Sequence, residues 1–434
     1  MKKLKFGAIA LASALTLVGC GGGESQSIES VEVVTKVEEP VTVEFWHSMS
    51  GANGEVLNGL INDFNTTIGS DKGITVNAVY QGGYEDLKSK VTASLKAGNS
   101  PAIVQATGNH VIEYLESGAV QSLDDYIFNE EIGIEGFEDI YQVYRDENSA
   151  YGEEGTFYSL PFNKSTDLLF YNKSLFDEHG LTVPTTWDEL EVLSEKVTEI
   201  TGKPSFSIDN TANYLITYLK QSGAGYTNSN GDILFNNETS LEALKMIKEN
   251  INKGIWRLAG EDKYSSSPFL AGHVAMYIGS SAGEGFLNSD NFEWASAPIP
   301  QVSADHKANI QQGSNVAMLN QNKTAQEVYG AFEFVKYLCS TEANLKWSLN
   351  TGYLPIRESV AASEEYQKYV EETNSTTKLY GTQATKYGFV EASFMTDSYS
   401  SNMVRTEVGA MVEDVVLGGM DPQAALDLYE GKLK

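Results

Sequence analysis

A chain of 434 residues with 41% hydrophobic and 11% aromatic content is long enough to bury a sizeable core, and even two. That length with only two cysteines excludes a small disulfide-stapled scaffold. A formal net charge of -29 sets the body of the protein against nucleic acid and anionic lipid, whose phosphates it repels.

Lys2, Lys3 and Lys5 precede an apolar run from Phe6 to Val18 that is too short to span a bilayer, so residues 1–19 read as a signal peptide. Leu17, Val18, Gly19 and Cys20 follow the aliphatic, small, cysteine order of a lipobox, and an Ala-x-Ala cleavage site is missing where one would be needed after the apolar run. Cys20 is therefore expected to be lipidated and to anchor the exported protein to the bacterial cell membrane. Residues 20–40 are glycine-rich and then alternate Val with Glu, the composition of a flexible tether, with a strand over 31–37 as the lesser alternative. Cys339 is then the only cysteine besides Cys20. It lies in an apolar helical pattern and is expected to be a buried thiol, with no intramolecular disulfide.

Residues 41–46 predict a first strand, followed by a helix whose apolar face is Val56, Leu57, Leu60, Ile61 and Phe64. A second strand over 74–80, a helix carrying Leu87, Val91 and Leu95, and a short strand over 102–105 come next. Near Tyr158 a second unit begins, with a strand over 167–171 and a helix opened by a Thr186/Glu189 capping box that buries Leu190, Leu193, Val197 and Ile200. Later helices are predicted over 241–251, 325–339 and 404–416, and no repeat period appears. Alternating strands and helices imply an α/β fold with two lobes, whose ligand sits in the cleft between them, beyond the carboxyl ends of strands.

The segments at those ends are polar and aromatic: 46–51, 81–85, 161–166, 279–283, 311–315 and 351–356. They supply hydroxyls, amides, backbone N–H groups freed by glycine and aromatic faces, the equipment for holding a hydroxylated solute. His47 and Ser48, directly after the first strand, are candidates on position alone. Asn228-Ser229-Asn230-Gly231-Asp232 lacks the rest of a calcium loop and reads as a hairpin turn.

Several blocks occur in a specific order: Phe45-Trp46-His47-Ser48-Met49, Gly83-Tyr84-Glu85, Gly98-Asn99-Ser100-Pro101, Pro161-Phe162-Asn163, Tyr171-Asn172-Lys173, Thr351-Gly352-Tyr353-Leu354-Pro355-Ile356 and Pro422-Gln423-Ala424-Ala425-Leu426. With them the chain resembles the family-one extracellular solute-binding proteins of ABC transporters, from Val41 to the C-terminus. The resemblance implies a type II periplasmic-binding-protein-like fold, with lobe one over 41–151 and 300–352 and lobe two over 152–299 and 353–434. It further implies capture of a small polar solute (sugar, polyol or glycerol phosphate), docking on an ABC permease, no cofactor and a monomer. Ligand contacts are implied at Tyr84, Ser165, one of Ser280 or Ser281, Gly313 and Tyr353. Two positions depart from the glycerol-phosphate-binding branch: Gly108 stands where that branch has an acidic residue, and Tyr399 where it has an arginine. Losing a guanidinium removes the donor best matched to phosphate, and Arg405, a turn or so further on, is the candidate substitute.

The rival class is a secreted lipoprotein hydrolase acting on glycosides or esters. Gly279-Ser280-Ser281-Ala282-Gly283 matches a G-x-S-x-G elbow, which needs a helix directly after the serine and an Asp then a His downstream. His306 is the only downstream histidine and sits in the polar turn Ala304-Asp305-His306-Lys307, so the match reads as chance. Among 59 acidic residues no pair stands out as a glycosidase dyad. His47, His110, His179, His273 and His306 are scattered, and no metal site is expected.

Overall fold

The computed structural model describes residues 31–152, 155–303 and 306–434, so the signal peptide, Cys20 and Asp305 lie outside the described residues. Alternation of Val43, Phe45 and His47 with more exposed neighbours makes β1 (Val41–His47) a strand with one buried face. It pairs in parallel with β2 (Ile74–Tyr80) on one side and β3 (Ile103–Ala106) on the other. The chain then adds β4 (Leu160–Asn172), β5 (Phe206–Ile208), β6 (Trp256–Leu258), β7 (Met276–Ser280), β8 (Trp294–Ala297), β9 (Asn309–Met318) and β10 (Gly388–Phe389). Their order is β2-β1-β3-β9-β4-β7-β5-β6, with β8 beside β4 and β10 beside β9.

Two antiparallel strands join the halves of this sheet. β9 pairs with β3 through residues 315–318 and with β4 through 311–316. β4 pairs with β9 over 160–166 and with β7 over 167–171. The segments 161–166 and 311–315 are thus strand, not the loops expected from sequence. Asn163, Lys164, Ser165, Thr166, Ser314 and Asn315 are buried polar residues. They face polar partners instead of apolar core, so hydrophobic alternation is absent there.

The helices follow their predicted faces. Leu57, Leu60, Ile61 and Phe64 are buried in Gly51–Thr66, and Leu87, Val91 and Leu95 in Tyr84–Ala97. Thr186 and Glu189 cap Trp187–Thr201 reciprocally, and Leu190, Leu193 and Val197 are buried beneath it. Ile200, predicted to be buried with them, is 37% exposed, at the edge of the stripe in the last turn. Cys339 is fully buried after the helix Ala325–Leu338, and burial pushes its thiol up to about 12, as an inert core residue requires. Asn228 Oδ1 accepts the N–H groups of Asn230 and Asp232 at 3.0 Å beneath a Thr227–Ile233 bridge, which is the expected turn.

Apolar side chains gather on either side of the crossing strands. One cluster includes Phe45, Leu57, Phe64, Phe334 and Trp347. The other includes Leu190, Leu215, Leu244, Trp256, Val408 and Leu426. Tyr353, Ile356 and Ala361, which the sequence reading gave to lobe two, belong to the first cluster. The physical reason is local: the Tyr353 ring stacks on Trp347 at 5.5 Å, and the Ile356 N–H donates to Asn344 Oδ1.

The tether needs correction over its described part. Val31, Val33, Val34 and Val37 pack against the first cluster, and the Glu38 N–H donates to Gln326 Oε1 at 2.7 Å. The alternation that hinted at a strand over 31–37 serves this docking, and no strand forms. Among the described residues no helix is long and apolar enough to cross a membrane.

Candidate functional site

Where β4 and β9 run side by side, Lys164 is the partner of Gly313. Gly313 has φ +98°, and a Cβ there would lie 1.8 Å from the Asn163 carbonyl oxygen, so only glycine allows this approach. Beside it is a cavity of about 380 Å³, lined by Gly313, Gln312, Tyr84, Thr107 to His110 and Glu147 on one side and by Asn210, Glu391, Ser393, Asn402 and Arg405 on the other. A larger cavity of about 1200 Å³ lies by Tyr141, Glu358, Tyr366 and Thr385. It shares only Val390 with the smaller one and contains none of the residues predicted to touch ligand. The smaller cavity, which draws polar groups from both halves and from the crossing strand, is the candidate site.

Tyr84 opens its helix directly after Gly83 and is half-buried. Its hydroxyl accepts from Asn163 Nδ2 at 3.0 Å, with Gln105 Nε2 at 3.5 Å. Tyr353, 8% exposed, brings its own hydroxyl to Asn163 and Tyr84, and burial holds that hydroxyl well above the usual tyrosine range. Gln105 ties the group together: its Oε1 accepts from the Ser48 N–H at 2.9 Å and the Ser48 hydroxyl at 3.2 Å, and its amide donates to Asn163 and Ser314. Sequence reasoning missed Gln105 as a site residue, although a lone amide ending the apolar run Ala102-Ile103-Val104 was a visible signal.

Ser280 donates to the Ser165 hydroxyl at 3.1 Å, so these two meet. Ser281 is fully buried and accepts the Thr166 N–H at 3.3 Å. Ser280 is therefore the serine placed with Ser165, and Ser281, the elbow position, is spent on the backbone of β4. A 3-10 helix, Ser281–Phe286, follows it in place of the α-helix an elbow demands. His47 is turned inward: Nδ1 accepts the Met49 N–H at 3.2 Å, and burial lowers its pKa to about 4. It forms the turn and, like Ser48, Ser165, Ser280, Ser281 and Tyr353, does not line the cavity.

Tyr399 is also turned away, its hydroxyl donating to the Gly231 carbonyl at 2.8 Å, and Arg405 lines the cavity instead. Arg405 Nη1 is 2.5 Å from Glu391 Oε1, and Nη2 donates to Asn213 Oδ1. Asn213 in turn donates to Asp167 at 2.9 Å, and Gln312 does so at 2.5 Å. Burial raises the Asp167 carboxyl, against these hydrogen bonds. On the opposite wall Glu147 pairs with the almost completely buried Lys164 at 2.5 Å.

The two halves touch across the cavity mouth. Ser393 and Ser401 donate to Asn109 Oδ1 at 3.2 and 2.6 Å, and Ser400 donates to Glu113 at 3.2 Å. A Cβ on Gly108 would lie 2.9 Å from the Ser393 hydroxyl and 3.6 Å from Glu147 Oε1, so a side chain there requires the serine to turn and an acidic one would face a second carboxylate. Among the described residues no group of three or more His, Cys, Asp or Glu side chains is arranged to hold a metal ion.

A family model described as bacterial extracellular solute-binding protein matches residues 59–374. The sn-glycerol-3-phosphate-binding periplasmic protein UgpB of Shigella dysenteriae serotype 1 (strain Sd197) is 26% identical, over 98% of this chain and 96% of its own. UgpB of Escherichia coli (strain K12) is 25% identical over the same shares. Among solved structures, UgpB from Mycobacterium tuberculosis in complex with glycerophosphocholine aligns with TM-score 0.77 at 18% identity, covering 91% of this chain and 97% of that one. The cyclic alpha-maltosyl-1,6-maltose binding protein from Arthrobacter globiformis aligns with TM-score 0.76 at 23% identity, covering 91% and 98%. The fold is that of the type II, two-lobed periplasmic binding proteins, with its cleft between the lobes. The matched family and these relatives bind solutes and are not enzymes.

Proposed function

We propose, since the chain belongs to the bacterial extracellular solute-binding protein family, that it is the lipid-anchored binding component of an ABC importer. It takes up a small carbohydrate or glycerol-phosphate-like solute outside the cytoplasm and delivers it, as a monomer, to a membrane permease. The observation that carries this reading is the polar cavity walled by both halves of the molecule and floored by the strand that joins them. Tyr84, the Gly313 backbone and, in place of Tyr399, Arg405 line the cavity and are the proposed direct contacts, while Tyr353, Ser165 and Ser280 do not line it and are proposed to support them from behind. The lobes are proposed to divide as 41–151 with 300–352 and 152–299 with 353–434, with exchanges at the crossing strands and after them: Leu160, Phe162, Tyr353, Ile356 and Ala361 pack in the first cluster and Ile310 in the second. Cys20 holds the protein at the membrane.

Solute binding selects the arrangement in which both lobes line the ligand, and the permease reads that shape. Small-angle scattering of the mature protein with maltose, maltotriose, glycerophosphocholine and sn-glycerol 3-phosphate should show compaction with at least one of them. An unchanged profile with all of them at millimolar concentration, or turnover of any, overturns the reading. Mass spectrometry of membrane-extracted protein should find a diacylglyceryl group on Cys20, and Cys20→Ser should release the protein from the membrane.

A further inference from the structure

We infer that this cavity is built for an uncharged polyhydroxyl solute and turns away a free phosphate monoester, with Glu391 as the residue that enforces the choice. The inference rests on the solute-binding reading and narrows it. Of the charged side chains lining the cavity, one is cationic, Arg405, and three are carboxylates: Glu85, Glu147 and Glu391. Glu147 is matched by Lys164 behind the wall. His110 adds no positive charge at neutral pH, because burial lowers its pKa to about 4.

Arg405 is not a vacant phosphate fork. One edge of its guanidinium is occupied by Glu391 at 2.5 Å and the other by Asn213, which is itself held by Asp167. A phosphate dianion that takes Arg405 must displace Glu391, whose side chain is only 14% exposed. The displaced carboxylate is then left beside a second anion with little water to screen either, the arrangement in which buried charge costs most. Hydroxyl groups impose no such exchange. Glu391 Oε2 is buried without a hydrogen-bond partner among the described residues, and Asn210, Asn402 and Gln312 add amides that donate and accept. A neutral solute can use these groups while the Arg405–Glu391 pair stays closed.

The test is calorimetric titration of the mature protein and its Glu391→Gln variant with sn-glycerol 3-phosphate, run beside maltose and maltotriose. The wild type should bind glycerol 3-phosphate no better than millimolar, and Glu391→Gln should tighten that binding by at least about tenfold. Glu391→Asn with a melting check serves if the Gln variant does not fold. Micromolar binding of glycerol 3-phosphate by the wild type, or a gain below tenfold in the folded variant, overturns the inference. Failure of the broader reading looks different: no solute compacts the protein, whichever side chain stands at position 391.

Discussion

Replacing Gly313 by alanine tests whether the crossing strands set the geometry of the site. At φ +98° an L-residue pays about 1–3 kcal/mol of backbone strain. The new Cβ also falls 1.8 Å from the Asn163 carbonyl oxygen. Carbon and carbonyl oxygen sit no closer than roughly 3.3 Å, so the β4–β9 ladder has to open by about 1.5 Å. This breaks the Lys164–Gly313 pairing beside the Leu354 N–H bond to the Lys164 carbonyl. The combined loss should be about 3 kcal/mol or more, which for a domain of this size lowers the melting temperature by roughly 6–12 °C. Gly283→Ala is the control, since a Cβ there meets nothing within 4 Å and φ is not positive. It should stay within about 0.5 kcal/mol of wild type. Circular-dichroism melts of both variants decide the matter: if Gly313→Ala melts with the control, the close approach of the strands is not what the glycine serves.

Tyr84→Phe and Tyr353→Phe should each weaken binding of the solute identified by titration by about 1–3 kcal/mol, because Asn163 loses a hydroxyl partner, with little change in melting temperature. Normal binding by both variants removes the hydroxyl contacts from the site. Lys164→Met leaves Glu147 facing the cavity without its cation and should cost about 3–5 kcal/mol in urea unfolding, while the double variant with Glu147→Gln regains most of that. Burial lowers the pKa of His47 and of His110 to about 4 from an ordinary value of 6.5, so the unfolded chain takes up these protons first. The stability gained by keeping both neutral is complete above pH 6.5 and is lost as pH falls through about 4, on the order of 3 kcal/mol for each histidine. His47→Gln should therefore show a smaller fall in melting temperature between pH 7 and pH 4.5 than the wild type, and an unchanged slope counts against the buried neutral imidazole.

The parts of the fold that bury apolar stripes were legible from spacing, from Leu57 and Phe64 in the first helix to the Thr186/Glu189 cap. The crossing strands were not, because Asn163 to Thr166 and Gln311 to Asn315 satisfy each other by hydrogen bonds and leave no hydrophobic period to read. At the site, Tyr84 and Gly313 were reached through the family resemblance, and both line the cavity. The exchange of Tyr399 for Arg405 was not decided by sequence order: which of two residues six apart faces a cleft depends on where the helix Ser401–Val416 begins, and Ser400 caps it only once the chain is folded. The docking of residues 31–39 was hidden for a related reason, since alternating valines look the same whether they pair as a strand or lie against the first apolar cluster.

The same ladder carries the chain between the lobes and borders the cavity, so under the proposed function recognition and flexure share residues. Exchanging Asn163, Ser165 or Gly313 to suit a different solute also changes how readily the lobes part. Glu391 and Asn402 escape that constraint, since neither lies in the ladder nor bonds across the mouth as Ser393 does. A new preference can thus be acquired or engineered at these rim positions while the opening energy is held constant. Altered floor residues, by contrast, shift the affinities for every solute together.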